Sequence, residues 1–278
     1  MAVDIDAAIK DWVGSPPNVY IKLKKTLDDP RSSFKEFSAI IGNDPSLSAR
    51  LLKIVNSAFY GLGSEVDTIT HALGIIGTEQ LTQLVLATSV MKEFTEIPKN
   101  LVSMDLFWRH SIACGVAAKI IAASLEERNL ETYYLAGMLH DIGSLVMYKK
   151  FPEQCEKILE RCKENKEHLF DVEVKVFGSS HAKVGGKLLA GWGLPPSLCE
   201  PVIFHHRPKK AKEYSLATKI VHVADSIVDE MRLGSSGEAL ANPVKQEILT
   251  DLGFEELPIK KFENEIKDQY YSAMSVFI

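Results

Sequence analysis

Cysteine is scarce in this 278-residue chain: there are four, Cys114, Cys155, Cys162 and Cys199, and no two have the two-residue spacing of a zinc knuckle or a redox motif. A disulfide framework is excluded, and reduced thiols are expected. Long apolar runs are also missing. Stretches such as Leu84 to Ala87 and Ile120 to Ala123 stop far short of the roughly 18 to 20 residues a membrane-spanning helix requires. The first dozen residues carry three aspartates and lack the basic segment and apolar run of a secretory signal, so a cytoplasmic protein without a membrane is expected. Positive charge is in deficit, with 32 Lys and Arg against 37 Asp and Glu and a net charge of -5, which makes nucleic acid a disfavoured partner. No sustained alternation of apolar and polar residues proposes a sheet. What remains is an ordinary globular composition, 46% hydrophobic and 25% charged. It has helical periodicity throughout and room for one large domain or two lobes.

The pattern predicts an all-α, two-lobed fold. Ser33-Phe34-Lys35-Glu36 has the spacing of a capping box, with Phe37, Ile40 and Ile41 following at helical intervals. Asp44-Pro45 starts a second helix that ends near Asn56. After the loop Tyr60 to Gly63 come Ile69 to Ile76 and Glu79 to Phe94, separated by Gly77. Thr95 to Ser103 lacks periodicity and contains Pro98, so the boundary is placed near residue 100. This gives a lobe at 1–100 and a second at 101–278 that includes a helical tail. Predicted helices of the second lobe are Leu106 to Ser124, Leu130 to Tyr148, Glu153 to Glu164, His181 to Trp192, Pro196 to His206, Ser215 to Met231, Pro243 to Leu252 and Lys260 to Val276. Gly234 to Gly237 is predicted to be a flexible loop.

Several histidines and two aspartates interrupt the apolar stripes. His110 shares a face with Phe107, Cys114 and Ala117, and His140-Asp141 follows Leu135, Met138 and Leu139. His181 aligns with Val184 and Leu188, His205 with Leu198 and Val202, His206 lies one position round, and Asp225 shares the face of Val221 and Val228. Each alone reads as a satisfied core residue or a cap. Together, on five predicted helices, they converge on one cavity. Imidazoles and carboxylates are ligands for divalent iron, manganese, zinc or nickel. Seven of them exceed one ion's needs, so one or two ions are expected, with Asp141 bridging a two-metal centre able to activate a water and clamp a phosphodiester. His222 is expected to be solvated, and His168 and His71 are expected to be non-ligands.

The motifs themselves resemble a known family. Pro16-Pro17-Asn18-Val19-Tyr20, Ile41 to Leu47 and Leu51 to Gly61 are similar to the first lobe of the bacterial HDOD domains, relatives of the HD phosphohydrolases. Phe107-Trp108-Arg109-His110-Ser111, Ala136 to Gly143, His181 to Gly185, Trp192-Gly193-Leu194-Pro195 and His205-His206-Arg207-Pro208 continue the resemblance in family order, over about residues 10–232. It implies an HD-like second lobe and a role as an output module in bacterial signalling, with a signalling protein or a small ligand, such as a nucleotide, as partner. The related HD-GYP cyclic-di-GMP phosphodiesterases carry lysine where this chain has Ser144, and an acidic residue with Gly-Tyr-Pro where it reads Arg207-Pro208-Lys209-Lys210. These departures argue against cyclic-dinucleotide hydrolysis and leave metal and nucleotide binding open. The expected function is therefore a regulatory module with a metal-binding pocket, the alternative being a metal-dependent phosphohydrolase in which Lys183, Arg207 or Lys209 steadies the phosphate.

Overall fold

The computed structural model describes residues 16–57, 60–94 and 97–277. The opening dozen residues and the Ala58-Phe59 pair of the first-lobe motif lie outside these. Among the described residues there are fifteen α-helices, one 3-10 turn and no strand.

One compact unit comprises residues 16–94 together with 267–277. Its helices are α1 (Asn18–Leu27), α2 (Phe34–Gly42), α3 (Pro45–Val55), α4 (Ile69–Ile76) and α5 (Thr78–Glu93). The predicted capping box forms, Glu36 accepting from the Ser33 backbone N–H at 2.7 Å, and Asp44 accepts from Leu47 N–H at 2.9 Å. Asn56, read from sequence as a local helix end, reaches further: its amide donates to Val66 O and accepts from Val66 N–H, both at 2.7 Å. Helix α1 was not read from the sequence, because it buries only the narrow stripe of Tyr20 and Leu23 among lysines.

The other unit holds residues 97–266: α6 (Met104–Ser124), α7 (Leu130–Leu139), α8 (Ile142–Lys150), α9 (Pro152–Asn165), α10 (Leu169–Phe177), α11 (His181–Gly191), α12 (Pro196–Phe204), the 3-10 turn Pro208–Lys210, α13 (Ser215–Met231) and α14 (Gln246–Asp251). The last helix, α15 (Ile259–Phe277), is shared, with residues up to 266 in this unit and the rest in the other, whereas the sequence reading places the whole tail with the second lobe. The stripe of Phe262, Ile266, Tyr270, Ala273 and Met274 is buried along its whole length.

Helix α6 is the core of this unit. By length and composition it is the one described helix apolar enough to cross a membrane, yet 78% of that stretch is buried and it packs on α7 and α13, the position of a core helix. The predicted single helix Leu130 to Tyr148 is broken at His140-Asp141, where the chain turns and α8 sets off towards α11. Gly143 allows this approach: a Cβ there would lie 2.0 Å from the carbonyl oxygen of His181.

Candidate metal centre

Five elements and the segment after α13 aim ionisable side chains into one interior. α6 brings His110 and Cys114, the α7–α8 break brings His140 and Asp141, and the first residue of α11 is His181. His205 and His206 stand at the end of α12, and α13 supplies Asp225 and Asp229. All seven residues singled out from the sequence are brought together. With Cys114 added, they form two groups of four whose ligand atoms lie within 4.8 Å of one another: His110, Cys114, His140 and Asp225, and Asp141, His181, His205 and His206.

Asp141 faces both groups. Its Oδ2 lies 3.2 Å from His140 Nε2 and 3.8 Å from His110 Nε2, and its Oδ1 lies 3.3 Å from His181 Nε2 and 3.6 Å from His205 Nε2. Asp225 Oδ1 closes the first group at 3.2 Å from His110 Nε2 and 3.5 Å from His140 Nε2.

Local structure sets which ring nitrogen is left for a ligand. His140 Nδ1 donates to Gly137 O at 2.6 Å and His205 Nδ1 to Val202 O at 2.8 Å, each using a carbonyl that the last helical turn leaves unbonded. Nε2 of both rings is buried and without a hydrogen-bond partner, as is Asp141 Oδ1, and in a neutral ring with Nδ1 protonated it is Nε2 that carries the lone pair. His181 Nδ1 donates to the buried Glu173 at 2.7 Å. His206 Nδ1 donates to Asn242 Oδ1 at 2.8 Å, and the orientation of that amide is fixed because its Nδ2 faces the carboxylates of Asp225 and Glu238. With both rings neutral, two lone pairs would confront each other where His181 Nε2 and His206 Nε2 meet at 2.7 Å. That contact is repulsive between neutral rings and is relieved by a proton or a cation.

The electrostatics point the same way. Burial opposes charge on Asp141 and Asp225, but the surrounding imidazoles outweigh it and hold both carboxyls well below the ordinary range. Burial likewise opposes the imidazolium of His140, and Asp141 and Asp225 raise its pKa well above normal. Burial and the neighbouring His140 bring His205 down to about 3, leaving it a neutral ligand, and burial with Asp225 pushes Asp229 up to about 7. A largely buried interior holding five carboxyl groups (Asp141, Glu173, Asp225, Asp229 and Glu238) calls for positive charge in proportion to how many of them ionise. Unpaired Nε2 and carboxylate atoms converging from both sides of Asp141 fit divalent cations with nitrogen and oxygen ligands.

Sequence reasoning missed Cys114, Glu173, Asp229, Glu238 and Asn242. Cys114 Sγ lies 3.5 Å from His110 Nε2, and the only signal was its position four residues after His110 on the same face. His222, expected in solvent, is buried instead: α13 packs against α6, α7, α12 and the 3-10 turn, so its far face is covered too. His71 is exposed and lies 3.7 Å from Asp67, and neither it nor His168 belongs to either group. Arg207 and Lys209 line a pocket of about 390 Å³ whose wall includes His206, His222, Lys210 and Lys245, while Lys183 is not part of it. Arg207 stacks on Phe170 at 4.6 Å, and that ring in turn lies 4.8 Å from the ring of His206.

The family model described as the HDOD domain matches residues 13–208. This chain belongs to the HDOD family. Its fold is shared with an HDOD domain protein of unknown function from Geobacter sulfurreducens (24% identity, 95% of this chain and 93% of that one, TM-score 0.74). It is shared too with two proteins of Shewanella amazonensis SB2B. One, provisionally named a phosphohydrolase, has 22% identity over 100% and 99% of the two chains and a TM-score of 0.78. The other, provisionally named a metal-dependent phosphohydrolase, has 22% identity over 99% and 96% and a TM-score of 0.70. An uncharacterised protein of Treponema pallidum (strain Nichols) is 26% identical over 225 residues, 78% of this chain but 42% of that one, so this HDOD chain spans less than half of that relative. Asp225, Glu238 and Asn242 lie beyond the HDOD-matched residues.

Proposed function

We propose that this chain is a metal-holding HDOD module that acts as an output or regulatory element of bacterial signalling in the cytoplasm, with a signalling protein or a small ligand as its partner. The observation that carries the metal reading is the convergence of the partnerless Nε2 atoms of His140 and His205 on the two oxygens of Asp141. His110, His140, Asp141 and Asp225 would hold one divalent ion, and Asp141, His181, His205 and His206 a second.

A second reading, metal-dependent hydrolysis of a phosphoester, is favoured by the basic pocket beside His206. In a chain of net charge -5 this pocket gathers Arg207, Lys209, Lys210 and Lys245 against Glu247, which pairs with Lys209. Divalent ions in such a centre supply activation of a water and neutralisation of phosphoryl charge. The chain's own part is to hold the reacting phosphate against the cluster, steady the rest of the anion with Arg207 and Lys209, and exclude bulk water by the burial described above. A screen of nucleotides and simple phosphomonoesters and diesters on manganese-reconstituted protein decides between the readings. Turnover abolished by Asp141→Ala supports hydrolysis; turnover unchanged in that variant comes from a contaminant and removes it.

A further inference from the structure

The segment after α13 is not a free loop. Gly234 has a φ of +105° and packs so closely on α6 that a Cβ would lie 2.4 Å from His110 N and from Leu106 O. Ser235 N–H donates to Leu106 O at 3.0 Å, and the hydroxyl of Tyr148 donates to Ser236 O at 3.1 Å. Pinned at both points, the chain crosses the interior and delivers Glu238 and Asn242 to the cluster. Asn242 is braced in turn: Ser226 Oγ donates to its carbonyl at 2.9 Å, and its side-chain amide donates to Asp225 Oδ2 at 2.9 Å and to Glu238 Oε2 at 3.3 Å.

The other oxygen of Glu238 is the anomaly. Its side chain is 9% exposed, Oε1 is buried without a hydrogen-bond partner, and it lies 3.5 Å from His206 Nε2 and 3.9 Å from His181 Nε2. Those separations are too long for hydrogen bonds. They approach the roughly 3 to 3.5 Å between two donors that each sit about 2.0 to 2.2 Å from one ion. The two imidazoles are the pair whose Nε2 atoms meet at 2.7 Å, so three potential ligand atoms, with Glu238 Oε1 unpaired among them, surround one point.

We propose that Glu238 is a metal ligand of the second group, joining Asp141, His181, His205 and His206, and that the 234–242 segment is a strap that carries it in. This rests on the metal reading above and adds to it a ligand from outside the HDOD-matched residues. Asn242 is a positioning residue: one amide orients His206, Asp225 and Glu238 together.

The test is manganese binding by the full chain, read as stoichiometry by elemental analysis and as affinity by competition with a chelating indicator, in wild type, Glu238→Gln and Glu238→Asp. Glutamine keeps the shape and the hydrogen bond from Asn242 but removes the charge. The expected result is at least a tenfold weakening of the more weakly held ion in Glu238→Gln, a smaller weakening in Glu238→Asp, and unchanged circular dichroism. If Glu238→Gln does not fold, Glu238→Asp alone carries the test, because it retains the charge and withdraws the oxygen by one methylene. Wild-type affinity in every folded variant would overturn the assignment and leave the rest of the centre standing. A wild-type protein that takes up neither manganese nor, under anaerobic reconstitution, iron would overturn the metal reading and Glu238 with it.

Discussion

At the scale of single residues, the centre depends on groups that orient ligands as much as on the ligands. Glu173 accepts from both the backbone N–H and Nδ1 of His181, at 2.9 and 2.7 Å, and so fixes the tautomer that leaves Nε2 for a cation. Glu173→Gln should lower metal affinity by roughly 10- to 100-fold without abolishing stoichiometric loading at high metal concentration, as measured by competition with a chelator. The seven residues first singled out were legible because a histidine or aspartate on an apolar stripe is conspicuous. Glu173 was hidden in a segment whose valines at 172, 174 and 176 alternate with polar residues and obscure the helix that buries it. Glu238 and Asn242 were hidden because their burial comes from the path of an irregular segment, and no periodicity reports such a path.

At the scale of elements, close approach and local charge decide which helices lie where. Gly143→Ala sets a methyl group against the His181 carbonyl and should destabilise the protein by about 1 to 3 kcal/mol in denaturant unfolding, with loss of metal affinity as α8 and α11 separate. Gly74, in α4, has open space around its Cβ position, so Gly74→Ala should stabilise by about 0.5 to 1 kcal/mol in the same measurement. Between α9 and α10, Arg161 donates to Glu167 at 2.6 and 2.8 Å and Lys175 adds a contact at 3.2 Å, which together hold the carboxyl down at about 2. A carboxyl lowered in the folded state stabilises above its unfolded pKa, and that contribution fades as pH falls from about 4.5 through about 2. Arg161→Ala should return the Glu167 titration, followed by NMR, towards the ordinary range and remove this part of the acid dependence. The break at His140-Asp141 is the element-scale feature the sequence did not reveal. Apolar spacing runs on through it, and only the packing of α8 against α11 shows why the chain turns there.

At the scale of the whole molecule, an acidic protein gathers cations at one mouth. Its charge-reversed double variant, Lys209→Glu with Lys245→Glu, should bind inorganic pyrophosphate at least tenfold more weakly than wild type, and raising the salt should narrow the difference. Equal binding in calorimetric titrations would place the anion elsewhere. The helical class was legible from periodicity and capping, and the order of the motifs from their resemblance to the HDOD family. The division of α15 between two units was not, because a single amphipathic stripe does not say which partner each of its turns meets. The central claim is that the buried histidines and aspartates hold metal, and elemental analysis of the full chain, purified without an affinity tag or chelator beside Asp141→Ala, tests it most directly. The account predicts near-stoichiometric divalent metal in the native protein and its loss in the variant. A native protein that stays metal-free after anaerobic reconstitution with iron and manganese would contradict it.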